Sequence, residues 1–61
     1  MKFSIRFKIG NRFGAASKYT LRDFCISIVG RFSLTETEVC TIVTLQTGET
    51  FTNEDLMIKK L

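Results

Sequence analysis

The chain predicts a small all-β domain of about five strands. Residues 2–9, KFSIRFKI, alternate strictly: Phe3, Ile5, Phe7 and Ile9 fall on one side, Lys2, Ser4, Arg6 and Lys8 on the other. That period of two with one apolar face marks a half-buried strand. Residues 38–46, EVCTIVTLQ, are dense in Val, Ile and Thr, which suits a strand. Turn residues punctuate the chain at Gly10-Asn11, Thr47-Gly48 and Asn53-Glu54-Asp55, and there is no proline.

After the first strand, residues 10–19, GNRFGAASKY, read as a loop with a short extended piece at 12–15. Residues 20–32, TLRDFCISIVGRF, support two readings. Leu21, Phe24, Cys25, Ile28, Val29 and Phe32 fit one face of a helix. Thr20 with Asp23 resembles a capping box, and Tyr19 with Phe24 a hydrophobic staple. Phe24, Ile26, Ile28 and Phe32 also fit one face of a strand, and the β-branched run ending in Gly30 disfavours a helix. The alternative architecture is therefore β-α-β-β, with a helix at 20–32. Residues 33–37 connect to the strand at 38–46. Thr47-Gly48 then turns the chain into a partner strand at 49–52, the clearest hairpin of the sequence. Glu54-Asp55 is expected to cap the last turn, and residues 56–61 form either a final strand or one helical turn.

Sixty-one residues make one domain, 1–61, and so short a chain buries a small fraction of its surface. Without histidine and with only two cysteines, Cys25 and Cys40, a Cys/His zinc site lacks ligands, and no Ser-His-Asp triad is available. No CxxC, GxGxxG or GxxxxGK spacing occurs. Glu36 and Glu38 read as a solvated turn rather than an acid/base pair. No enzymatic activity, cofactor or metal is expected. The start, MKFSIRFKI, holds no apolar run long enough for a signal peptide, and no window approaches a membrane span. The expected compartment is the cytoplasm, with both thiols free and buried in the core. Self-association is expected to supply extra buried surface, so the chain reads as a homo-oligomer.

Charge is unevenly spread. Residues 1–31 hold Lys2, Arg6, Lys8, Arg12, Lys18, Arg22 and Arg31 against Asp23, while residues 32–61 hold Lys59 and Lys60 against Glu36, Glu38, Glu49, Glu54 and Asp55. The asymmetry suits a surface for polyanions, or halves that pair within a sheet or between copies. The candidate binding residues are Arg6, Lys8, Arg12, Lys18 and Arg22, with Phe13 and Tyr19 nearby. Basic residues interleaved with aromatics neutralise phosphates and stack bases. Phe3, Phe7 and Phe13 are also expected in the core.

Four segments in order, FKIGNRF (7–13), ISIVGRF (26–32), SLTETEVCTIV (33–43) and TGETFTNEDL (47–56), resemble a small SH3-like barrel. They are similar in detail to the plasmid-borne, trimethoprim-resistant type II dihydrofolate reductases, which carry Phe-x-x-Gly-Asp-Arg, Ile-Val-Gly-Trp-Tyr and Leu-Thr-Pro-Glu. The likeness covers roughly residues 7–61. It implies a barrel in which 20–32 is a strand, with Phe24, Ile26 and Ile28 sharing a core with Phe7, Ile9 and Val43. The family's pore motif, Val-Gln-Ile-Tyr, is replaced after Gly48 by Glu49-Thr50-Phe51-Thr52, so its reductase activity is not implied. The expected function is a non-enzymatic binding module whose partner is nucleic acid, taken through the first strand and loop. The alternative is a protein partner, bound as an inhibitor or adaptor through an edge strand. An oligomeric reductase is the least favoured reading.

Overall fold

A computed structural model describes residues 1–61. Five strands form one curled antiparallel sheet, and strand outweighs helix, 36% against 26%, giving a small β-rich, barrel-like domain. The curl is that of a half barrel and is compatible with an SH3-like barrel. In chain order come β1 (Lys2–Ile9), β2 (Arg12–Phe13), β3 (Ser17–Thr20), α1 (Leu21–Asp23) with a π-helical continuation (Phe24–Ile28), α2 (Glu36–Val43), β4 (Thr50–Thr52) and β5 (Leu56–Lys60). The sheet runs β2-β1-β5-β4, with β3 also on the β2 side of β1. The first and last strands are therefore its centre.

The alternation of β1 does what its pattern requires. Phe3 and Ile5 face inward and are fully buried with Leu56 and Ile58 of β5, Phe24 and Ile28 of the first helix, and Ile42 of α2. Burying an Ile, Leu or Phe side chain contributes about 1.5–3 kcal/mol. Phe7 extends this core. It stacks on Phe32 at 5.5 Å between ring centroids, and Tyr19 meets it edge-on at 6.2 Å. The guanidinium of Arg31 sits 5.5 Å over the Phe32 ring. At the far end of β1 the chain outruns its cover: Ile9 is 74% exposed and is not a core residue.

Between β1 and β2 the loop is Gly10-Asn11, with Gly10 at φ +63° and Asn11 at negative φ, the pattern of a type II′ turn. The same return strand then carries a bulge. Lys8 pairs with Phe13, yet Ile5 pairs with Ser17, so Gly14, Ala15 and Ala16 oppose only Arg6 and Phe7. The Gly14 N–H donates to Phe7 O at 2.8 Å.

Residues 20–32 take the helical reading. Thr20 is the N-cap: its hydroxyl accepts from the Asp23 N–H at 3.1 Å. The helix widens through Phe24–Ile28, where the Val29 N–H reaches Phe24 O, and a bond from the Leu34 N–H to Val29 O follows. Phe24 and Ile28 point into the core, whereas Ile26 is 68% exposed, against the strand expectation that buried it. Ser33 reverses the chain in the left-handed region at φ +51°.

Residues 38–46 are the clearest departure from the strand expectation, because α2 occupies most of them. Its N-terminus is a capping box: Thr35 Oγ1 accepts from the Glu38 N–H at 3.1 Å, and Glu38 Oε1 accepts from the Thr35 N–H at 2.9 Å. Leu34 and Val39, at the N′ and N4 positions, are both half-buried against the core. The β-branched hydroxyls that suggested a strand are absorbed by bonds one turn back, Thr41 to Thr37 O at 2.9 Å and Thr44 to Cys40 O at 2.7 Å. The Thr47-Gly48 turn does form, with Gly48 at φ +90°, but it connects a helix to β4. The real hairpin is β4–β5, closed by residues 53–55. There Asn53, not Glu54 or Asp55, caps the turn, its Oδ1 accepting from Asp55 N and Leu56 N at 2.8 Å each.

Both cysteines are exposed, which corrects the expectation of buried thiols. The helical period explains it. Phe24 and Ile28 take the inward face of one helix and Ile42 that of the other, leaving Cys25 and Cys40 outward. No helix is long and apolar enough to cross a membrane.

Candidate nucleic-acid interface

Both helices bury their side chains against one face of the sheet, and nothing packs on the other. On that open face β1 presents Lys2, Ser4, Arg6 and Lys8. Residues directly opposite in an antiparallel ladder share a face. Lys18 therefore joins Ser4 from β3 and Lys59 joins it from β5, while Thr50 of β4 lies opposite Lys59. Lys18, Ser4, Lys59 and Thr50 form one row across four strands. Met57 and Thr52 continue the row that Arg6 begins, and Thr20 stands opposite Lys2. The five basic side chains of this face are all exposed.

The acidic residues lie elsewhere. Asp23 is in α1, Glu36 and Glu38 are in α2, and Glu49, Glu54 and Asp55 are in turns, so no strand carries a carboxylate. Five of the nine cations spread over this sheet surface, while Arg12, Arg22, Arg31 and Lys60 lie off it together with all six carboxylates. On the acidic side, Phe32, Glu38, Asn53, Glu54 and Asp55 line an open groove of about 320 Å³. Glu38 there is held below the ordinary carboxylate value by the Thr35 N–H bond, which outweighs the opposing desolvation. The Asn53 amide and the Thr35 hydroxyl add smaller contributions in the same direction. No group of three or more His, Cys, Asp or Glu side chains is placed to hold a metal ion.

The bulge puts an aromatic onto the basic face. In the register of β3 with β1, even-numbered residues of the return strand face outward: Lys18 and Thr20. One extra residue at 14–16 shifts that parity, so in β2 it is Phe13 that joins Lys8 outside. Phe13 is half-buried and lies outside the hydrophobic core cluster, which corrects its expected core role. Arg6 fastens this arrangement. Its Nε donates to Gly14 O at 2.9 Å and its Nη2 to Phe13 O at 3.3 Å, tying the bulge carbonyls to β1.

The structure brings together Arg6, Lys8 and Lys18 of the five candidate residues. Arg12 pairs with Ile9 and so lies on the opposite face at the hairpin tip. Arg22 is exposed on α1. Sequence reasoning missed Lys2 and Lys59. Lys2 is legible in the alternation of β1, but Lys59 joins the face only because β5 pairs with β1, a contact between the two ends of the chain. Comparison of the chain with family models, with curated proteins and with solved structures finds no match.

Proposed function

We propose that the protein is a non-enzymatic binding module that takes nucleic acid on the open face of its sheet. The observation that carries this reading is the strand surface itself: Lys2, Arg6, Lys8, Lys18 and Lys59 stand on one face without a carboxylate in any strand, with Phe13, an aromatic outside the core, at its Lys8 end. A phosphate backbone is the polyanion such a surface suits, because each neutralised phosphate releases condensed counterions. The hydroxyls of Ser4, Thr20, Thr50 and Thr52 add donors of the kind that fix a backbone in register. The helices and the acidic groove play no part in contact. Their charge repels the ligand from the wrong side and orients its approach.

Fluorescence anisotropy with labelled DNA and RNA, from low to physiological salt, tests the proposal. Log affinity is expected to fall linearly with log salt. Binding that is absent at low salt, or insensitive to salt, overturns it.

A protein partner is the second reading, favoured by the outer edge of β4. This strand closes the sheet at Thr50–Thr52, carries no charge and leaves one edge unpaired. The same edge is the natural place for self-association. The resemblance to the type II reductases called for strands at 20–32 and 38–46, both of which are mostly helical, and Glu49-Thr50-Phe51-Thr52 gives no support to reductase chemistry. The cytoplasm fits all these readings.

A further inference from the structure

We infer that the ligand of the open face is single-stranded nucleic acid, with an unpaired base stacked on Phe13 and the flanking phosphates on the surrounding lysines. The inference rests on the nucleic-acid reading above and narrows its substrate class.

Width argues first. The row Lys18–Ser4–Lys59–Thr50 crosses four strands. At about 4.8 Å between neighbouring strands, the outermost strand axes stand roughly 14 Å apart. A duplex major groove is about 12 Å wide and admits a helix or a two-stranded ribbon. The sheet is too broad to enter it, and a minor groove is narrower still. A flexible single strand has no groove to enter and lies across the face.

The placement of charge argues second. Lys18 and Lys59 flank β1 at the same level, roughly 10 Å apart by strand spacing. Lys2 and Lys8 mark the two ends of β1, roughly 20 Å apart at strand rise. The cations thus surround the face instead of forming one line, which suits a strand free to bend between them.

Phe13 argues third. In a duplex each base has both its faces covered by neighbours and its pairing edge occupied. An aromatic ring offered from a sheet surface meets a free base face only where the strand is unpaired. The bulge and the Arg6 bonds to Phe13 O and Gly14 O hold the backbone beneath that ring. The ring is a prepared platform beside Lys8, its cross-strand neighbour.

The test uses the whole chain and three labelled probes of about 15 nucleotides: oligothymidylate, oligouridylate and a DNA duplex. At least one single strand is expected to bind about tenfold or more tighter than the duplex. Phe13→Leu keeps an apolar side chain but removes the π face. It is expected to lower single-strand affinity about fivefold or more, as loss of base stacking does, and to leave the salt slope unchanged, while Phe13→Tyr retains affinity. Lys18→Gln with Lys59→Gln is expected to reduce the slope by about 1.4. Duplex binding as tight as single-strand binding, or an unaltered Phe13→Leu variant, overturns the inference and leaves the nucleic-acid reading intact. Failure of all three probes to bind overturns both.

Discussion

Phe13 lies directly opposite Lys8 across the β1–β2 ladder, on the open face of the sheet, although Lys18, five residues later, faces the same way. Two residues an odd number apart on one return strand share a face only because the bulge at Gly14–Ala16 absorbs the mismatch. The sequence of this loop looks like filler, yet its extra residue decides whether an aromatic enters the core or stays at the surface.

The Arg6 clamp is the first point to test. Arg6→Lys keeps the charge but cannot reproduce the two bonds from one guanidinium to Phe13 O and Gly14 O. Amide exchange at Gly14, whose N–H is bonded to Phe7 O, is expected to accelerate. Single-strand affinity is expected to fall several-fold with an unchanged salt slope, and combining Arg6→Lys with Phe13→Leu should add little, because both remove the same platform. Arg6→Gln removes the charge as well, and a slope reduced in that variant alone would mark Arg6 as a phosphate ligand too.

The central pair Ile5 and Ile58, both fully buried and in register, sets stability. Ile5→Val is expected to cost about 0.5–1.5 kcal/mol and Ile5→Ala about 2–5 kcal/mol. In so small a domain the larger loss consumes most of the folding free energy. Urea denaturation followed by circular dichroism measures both, and Ile58→Ala should match Ile5→Ala.

The capping box predicts a graded effect. Thr35→Ala removes the acceptor for the Glu38 N–H and is expected to cost about 0.5–2 kcal/mol. Thr35→Ser is expected to preserve stability, since it keeps the hydroxyl. Thermal unfolding of the two variants, side by side, checks the difference.

Glu38 gives that box a pH dependence. Its folded-state pKa is depressed, so the unfolded chain binds the proton more readily. The stabilisation is present above the ordinary value of 4.5 and is lost as pH falls through the lower, folded value. Melting temperatures measured from pH 6 downward, about three units, should fall more steeply for the native chain than for Glu38→Gln.

The exposed thiols make a direct solution measurement. Cys25 and Cys40 should both react with an aromatic disulfide reagent in the folded protein, at rates close to those in denaturant. A protected thiol would mean that a partner or a second copy covers that helix.

Much of the sheet was legible because its signals are local. The alternation of residues 2–9 gave β1 and its inward face, and Gly10-Asn11, Gly48 and residues 53–55 each mark a turn that forms. The helices were harder, for two different reasons. At 20–32 the helical and strand patterns coexist, and the burial of Phe24 and Ile28 beneath the sheet decides between them. At 38–46 the β-branched content pointed to a strand, but Thr35-x-x-Glu38 before Val39, Ile42 and Val43 is a legible helix start, and it outranks propensity. The open face was only half legible. Arg6, Lys8 and Lys18 share the first hairpin, whereas Lys59 reaches them through a pairing between chain ends that no local pattern encodes.

That pairing also orders events during synthesis. β1 has one edge satisfied by β2 and β3 as soon as residue 20 is made, and its other edge stays empty until residues 56–60 arrive. Until then Phe3 and Ile5 lack Leu56 and Ile58, and the nascent chain presents the unpaired flank of its longest strand. β5 is thus the strand that commits the fold, and a polypeptide stalled before it offers that flank to any neighbouring copy.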